Sequence, residues 1–266
     1  MIFITGCSSP EIEFPRTNQK IVVEGWVTSE LKSHWVKVAN TVGFTDVRSE
    51  SPVVDATVQI IRQSDGQAYN LAHDTQGNYF STPFQGMPGE QYRVQINLSD
   101  GRIIDSPFDL MLTDPDLQVI DFSFFLRENP ETGEEENVYY PVVTSLDPLN
   151  EINFYRYKAY RNDFELNEPD DLELITDRFH NGQILSHNLS RFEYELNDEI
   201  KVELQTFGKE AFDFLELLKS QTTSLGSSSG TAPASLIGNL SYRDSDEIVL
   251  GFFGTLSVKS DSTIVQ

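Results

Sequence analysis

Residues 91–98 read QYRVQINL. Tyr92, Val94, Ile96 and Leu98 alternate with Gln91, Arg93, Gln95 and Asn97. In extended backbone successive side chains point to opposite faces, so this period of two describes a half-buried strand with one wet face. EIKVELQT (199–206) repeats the pattern, with Ile200, Val202 and Leu204 on one side and Glu199, Lys201, Glu203 and Gln205 on the other. Looser versions occur at KIVVEGWV (20–27), WVKVAN (35–40), ATVQIIR (56–62), INFYRYKAY (152–160) and IVLGFFGTLSV (248–258). Ser64-Asp65-Gly66, Gln76-Gly77-Asn78, Pro88-Gly89 and Ser99-Asp100-Gly101 punctuate them at the spacing of antiparallel sandwiches.

One segment has a different period. GKEAFDFLELLKSQ (208–221) sets Ala211, Phe212, Leu215 and Leu218 on one helical stripe, widened by Phe214 and Leu217. Glu210 and Asp213 lie near its start and Lys219 near its end, as the helix dipole prefers. The stripe predicts a helix packed on a sheet. TTSLGSSSGTAPAS (222–235) then reads as a long loop, and the aperiodic DPDLQ (114–118) as a domain boundary. The expected fold is mainly β: an antiparallel β-sandwich over 20–115, then a β-rich domain with one α-helix over 116–266.

With 19 Lys and Arg against 42 Asp and Glu, the formal net charge is −23. A surface that acidic repels phosphate backbones and anionic lipid, so no nucleic-acid partner is expected and any membrane anchor must be hydrophobic. A single Cys excludes an internal disulfide and a cysteine-based zinc site. The most apolar later stretches, VIDFSFFL (119–126) and IVLGFFGTL (248–256), have strand length, and no run is long enough to span a bilayer as a helix.

Catalytic and metal motifs are not supported. GSSSG (226–230) has the letters of a nucleophile elbow, but a helix precedes Ser228 and a Pro-containing loop follows, where a strand and then a helix are required. His34, His73, His180 and His187 form no zinc motif; His180, His187 and Asp177 would be the one metal grouping to consider. The acidic runs ETGEEE (131–136) and NEPDDLE (167–173) lack the ligand order of a calcium loop and read as solvated. Neither catalytic residues, metal ligands nor a cofactor site are therefore assigned. The candidate contact residues are tyrosines: Tyr139 and Tyr140 in NVYYPVV, and Tyr155 and Tyr157 sharing one face of NFYRYKAYR. Tyr anchors interfaces and stacks on sugars, although a core capped by Tyr hydroxyls explains the same letters. The Asn-Leu-Ser sequons at Asn97, Asn188 and Asn239 matter only in a eukaryotic secretory pathway.

The lone Cys ends MIFITGC. Ile4-Thr5-Gly6-Cys7 has the form of a bacterial lipobox, with apolar Ile2 and Phe3 before it and a polar Ser8-Ser9-Pro10 after it. On this reading residues 1–6 are the remnant of a signal peptide whose precursor begins upstream. Cys7 is then the lipidated first residue of the mature protein and 7–19 a tether. Acyl chains contribute about 0.8 kcal/mol per buried CH₂, so two or three anchor a protein stably.

Together ITGC, KIVVEGWVT (20–28), VVDATVQI (53–60), GNYFSTPFQGMPGEQYRVQI (77–96), FYRYKAY (154–160), DRFHNGQ (177–183), EAFDFLELL (210–218) and GNLSYRDSDEIVLGFFGTLSV (238–258) resemble the outer-membrane lipoproteins of Bacteroidota grouped as domain of unknown function 4249. The first unit is also similar to carboxypeptidase-regulatory sandwiches, through an A-T-V strand, a G-N-Y hairpin and a P-G-E-Q-Y turn. That implies a transthyretin-like or immunoglobulin-like fold. The family's usual gene neighbourhood implies a lipid-anchored, surface-facing accessory protein that partners a TonB-dependent receptor in nutrient uptake. Glu11 and Glu13 resemble the surface-export signal of such bacteria. The resemblance carries no catalytic residue. A surface glycan-binding or adhesion module and a hydrolase are the alternatives.

Overall fold

The alternating segments fold as strands. The computed structural model describes residues 19–42, 51–113, 116–148, 152–166, 172–178, 182–224 and 235–266. Its first nine strands are β1 (Ile21–Thr28), β2 (Trp35–Asn40), β3 (Ser51–Pro52), β4 (Thr57–Arg62), β5 (Ala68–His73), β6 (Asn78–Ser81), β7 (Gln91–Asn97), β8 (Ile103–Asp105) and β9 (Asp109–Leu110). There follow β10 (Asp116–Glu128), β11 (Glu135–Leu146), β12 (Phe154–Arg161), β13 (Phe164–Leu166), β14 (Glu173–Thr176), β15 (Ile184–Asn188) and β16 (Glu199–Phe207). The helix α1 (Lys209–Ser224), then β17 (Ser241–Tyr242) and β18 (Leu250–Ile264), complete the described residues. The protein is thus mainly β with one helix. DPDLQ, read as aperiodic, overlaps the start of β10, whose ladder with β11 begins at Asp116.

In β7 the sequence pattern is realised directly. Tyr92, Val94 and Ile96 are fully buried and the intervening Gln91, Arg93, Gln95 and Asn97 half-buried. They belong to a core shared with Val23 and Val27 of β1, Val36 and Val38 of β2, Val58 and Ile60 of β4, and Phe253 of β18. The strands run β18-β1-β2-β6-β5-β4-β7-β8-β17, and β7 comes back into contact with β18. The sheet therefore curls over its own apolar face, which fits a sandwich. Gly77, in the G-N-Y hairpin, has φ +80° and its added Cβ would lie 2.6 Å from the Val38 carbonyl oxygen. Only Gly allows both that conformation and that approach.

β18 joins the two halves. Residues 250–256 run parallel to β1, and residues 257–264 run antiparallel to β16. At the crossing from one partner to the other, β18 has a donor without a strand beside it. Asp109 of β9 fills the gap: its Oδ2 accepts from the Thr255 N–H at 2.7 Å and from the Thr255 hydroxyl at 2.8 Å.

The second half has three layers. β12, β16 and β18 form the middle one, and β10-β11-β15 a three-stranded sheet on one face. Between them pack Ile120, Tyr139, Val143, Tyr155, Tyr157, Val202, Leu204 and Phe192. α1 covers the other face, where Phe207, Phe212, Leu215, Phe252 and Leu256 make a separate core. An isolated 16-residue helix is marginal in water, so α1 is held by this apolar stripe. The helix runs three residues beyond the sequence expectation, which leaves Lys219 outside the last turn and that turn without a cation.

β16 departs from the expected wet face. Glu203 and Gln205 are buried, on the same strand face as Phe207, where Gln205 donates to Glu203 at 3.4 Å and Lys201 pairs with Glu203 at 3.2 Å. Polar letters there conceal a strand buried on both sides.

Candidate functional site

The β10–β11 hairpin outreaches the body that supports it. β10 has 13 residues and β11 has 12, whereas β12, in the sheet beneath, has eight. At about 3.3 Å per residue that difference makes the ribbon roughly 15 Å longer than β12. Ile120 and Phe122 point into the core, and by the period of two Phe124 and Leu126 continue the same face past its edge. Phe124 is 60% exposed and Leu126 62% exposed; Phe125, on the opposite face, is 39% exposed. β10 is also an edge strand: among the described residues β11 is its partner, and its other side carries no ladder. An exposed edge with apolar side chains is what partner strands or apolar partner surfaces dock on.

Polar chemistry fixes the tip and frames this patch. The Asn129 side chain accepts from the Glu131 N–H at 2.9 Å and the Thr132 N–H at 3.2 Å, with Gly133 at φ +70° closing the turn. Arg127 pairs with Glu136 at 3.0 Å and Glu193 at 2.6 Å, and the hydrogen bonds from Asn129 and Arg127 hold the Glu136 carboxyl below its usual range. Arg127, Glu136, Val138, Arg161, Glu193 and Glu195 line a cavity of about 230 Å³ beside the hairpin. ETGEEE thus forms the hairpin tip and the start of β11.

The four tyrosines come apart. Tyr139, Tyr155 and Tyr157 are buried between the sheets, and Tyr140 alone is half-buried. Tyr139 meets the Phe122 ring edge-on at 5.7 Å and the Phe124 ring at a tilt at 5.8 Å. Burial pushes the Tyr157 hydroxyl up to about 12, and His187 stacks on its ring at 5.3 Å. Three of the four rings therefore have no free face for a sugar, which corrects their assignment as contact residues. Their spacing was that of core aromatics whose hydroxyls find partners. Tyr140 remains beside Phe125 at 6.1 Å, on the outer face of the hairpin.

Of the metal grouping, His187 and Asp177 have separate partners among the described residues, and His180 lies outside them. His187 Nε2 lies 3.2 Å from Glu173 Oε1, and that contact holds the Glu173 carboxyl below its usual range. Asp177 instead faces Asp147 in the interior. His34 is buried against Phe84, and the His73 ring bonds the Asp74 carbonyl. Asn239, one of the sequon residues, is bonded through its side chain to the Phe253 backbone. Cys7, Glu11, Glu13, His180, Ser228 and most of NEPDDLE lie outside the described residues.

A second concavity lies between α1 and the sheet. Trp26, Phe214, Leu215, Leu218, Leu250 and Phe252 line about 370 Å³ of mostly apolar space. Trp26 stacks on Phe252 at 5.4 Å and Phe214 on Phe252 at 5.1 Å. The helical stripe and the first half of IVLGFFGTLSV supply most of the apolar lining.

Sequence reading missed the hairpin patch. The signal was present in VIDFSFFLREN: two adjacent Phe break the alternation, and both faces are apolar immediately before a turn. No curated protein matches the chain. A family model described as "Domain of unknown function (DUF4249)" matches residues 9–262, and the chain belongs to that family.

Proposed function

We propose that this is a non-enzymatic, lipid-anchored accessory protein of the bacterial outer membrane that works with a TonB-dependent receptor. Cys7 is the anchor and residues 8–19 the tether. The hairpin edge is the docking element. The observation that carries the reading is the exposed apolar overhang of Phe124 and Leu126 on the unpaired edge strand β10. Solvating such a patch is unfavourable, and a partner that covers it removes that cost. Glu128, Glu131, Glu134 and Glu135 around it suit a partner surface with cations beside its own apolar strip. Family membership and the Ile4-Thr5-Gly6-Cys7 sequence support the membrane side of the reading.

The anchor is tested by expressing the precursor in a bacterium that processes lipoproteins and labelling with a fatty acid. The wild type should incorporate label and fractionate with the outer membrane, and Cys7→Ser should do neither. Unchanged labelling and unchanged membrane fraction in Cys7→Ser would remove the anchor from the account.

A further inference from the structure

Two carboxylates meet in the interior of the second half without a neutralising partner. Asp147 is 3% exposed and Asp177 fully buried, and the two side chains are neighbours. Asp147 Oδ1 accepts from the Tyr155 hydroxyl at 2.6 Å and Oδ2 from the Gly182 N–H at 2.8 Å. Asp177 Oδ1 accepts from the Asn153 N–H at 2.8 Å. Two oxygens are left over: Asp177 Oδ2 and Asn153 Oδ1 are buried and have no hydrogen-bond partner among the described residues. No Lys, Arg or His pairs with either Asp among those residues. Buried acceptors left in this state are satisfied by a cation, a proton or a bound water.

We propose that Asp147, Asp177 and Asn153 supply the protein ligands of a calcium site that ties the β11–β12 connection to the end of β14. The donor set is all oxygen, from two carboxylates and one amide, which is the chemistry of a hard cation. Calcium accepts six to eight oxygens in irregular geometry, whereas magnesium demands a near-ideal octahedron, so a site built from a strand end and a turn favours calcium. Donation from Tyr155 and Gly182 orients the Asp147 oxygens, as outer-shell hydrogen bonds orient metal ligands. With only two charged ligands the affinity should fall in the range of extracellular modules, a Kd of about 10⁻⁴–10⁻³ M.

The test uses the full chain stripped with chelator and dialysed. Calcium at about 100 times the Kd should raise the folded-to-unfolded ratio roughly 100-fold, and magnesium at the same concentration should give far less. Terbium should show emission sensitised by Tyr155 and displaced by calcium. Asp177→Asn should fold, abolish the calcium response and the sensitised emission, and leave weak binding to exposed acids unchanged. If Asp177→Asn fails to fold, Asn153→Asp serves instead: a third carboxylate should tighten calcium binding several-fold. The proposal is overturned if calcium neither stabilises the wild type nor displaces terbium. It is equally overturned if Asp177→Asn or Asn153→Asp responds to calcium as the wild type does. The pair then shares a proton only, with one Asp as the neutral acid.

Discussion

His34 makes stability depend on acid in a way that can be isolated by one substitution. It lies in the connection from β1 to β2 and is 1% exposed. The Thr28 N–H points at Nδ1 at 3.4 Å, so Nδ1 accepts and the proton sits on Nε2, which donates to the Phe84 carbonyl at 2.9 Å. That tautomer uses both nitrogens in the neutral form, and a second proton would have no acceptor. Burial therefore lowers the imidazole from 6.5 to about 4. The unfolded chain takes up the proton first as pH falls, so His34 stabilises fully above about pH 6.5 and that contribution is lost between there and about pH 4. Each tenfold difference in proton affinity between the unfolded and folded chains corresponds to about 1.4 kcal/mol, so the loss is on the order of 2 kcal/mol by pH 5 and 3 kcal/mol by pH 4. Urea unfolding followed by tryptophan fluorescence, on wild type and His34→Gln from pH 7 to pH 4, measures it. The 42 acidic side chains titrate in both proteins, so the difference between them is the readout. The wild type should lead at pH 7 and lose that lead by about the stated amounts. A difference that stays constant across the range would refute the reasoning.

Other perturbations probe the joints of the fold and its exposed edge. Gly251, the second residue of β18, has φ +93°, and an added Cβ would lie 1.9 Å from the Val23 carbonyl oxygen; Gly251→Ala should cost about 3 kcal/mol or more in urea unfolding. Asp109→Ala leaves two buried Thr255 donors without an acceptor and should cost about 1–3 kcal/mol. Burial raises the Asp109 carboxyl, so the wild type should lose stability relative to Asp109→Asn as pH rises through the ordinary carboxylate range, measured by paired melts. Phe124→Ser with Leu126→Ser should change stability by less than about 0.5 kcal/mol per site while lowering hydrophobic-dye binding, because both side chains already face water.

The elements whose burial is one-sided were legible in the sequence. QYRVQINL has one apolar face and one polar face, and β7 has the same two. The helix was equally plain, since its stripe had a sheet to cover. β16 was misleading at one end, because Glu203 and Gln205 are buried while keeping the letters of a wet face. The tyrosines show why composition alone does not select a site: Tyr155 and Tyr157 carry polar tips, but the Tyr155 hydroxyl is spent on Asp147 inside the protein. The hairpin patch depends on how far β10 reaches past the sheet beneath it, and relative reach is a tertiary quantity. The Asp147–Asp177 contact joins residues 30 positions apart through the β11–β12 connection and the β12–β14 pairing, which no local spacing reports.

Recovery of the native protein from detergent-solubilised membranes tests the proposed docking account most directly, with wild type compared against Phe124→Glu/Leu126→Glu and Cys7 intact in both. The expected result is a TonB-dependent receptor in stoichiometric amount with the wild type and its loss from the double variant, while both remain acylated and in the membrane fraction. Absence of a receptor from the wild-type preparation, or equal recovery with the double variant, would contradict it.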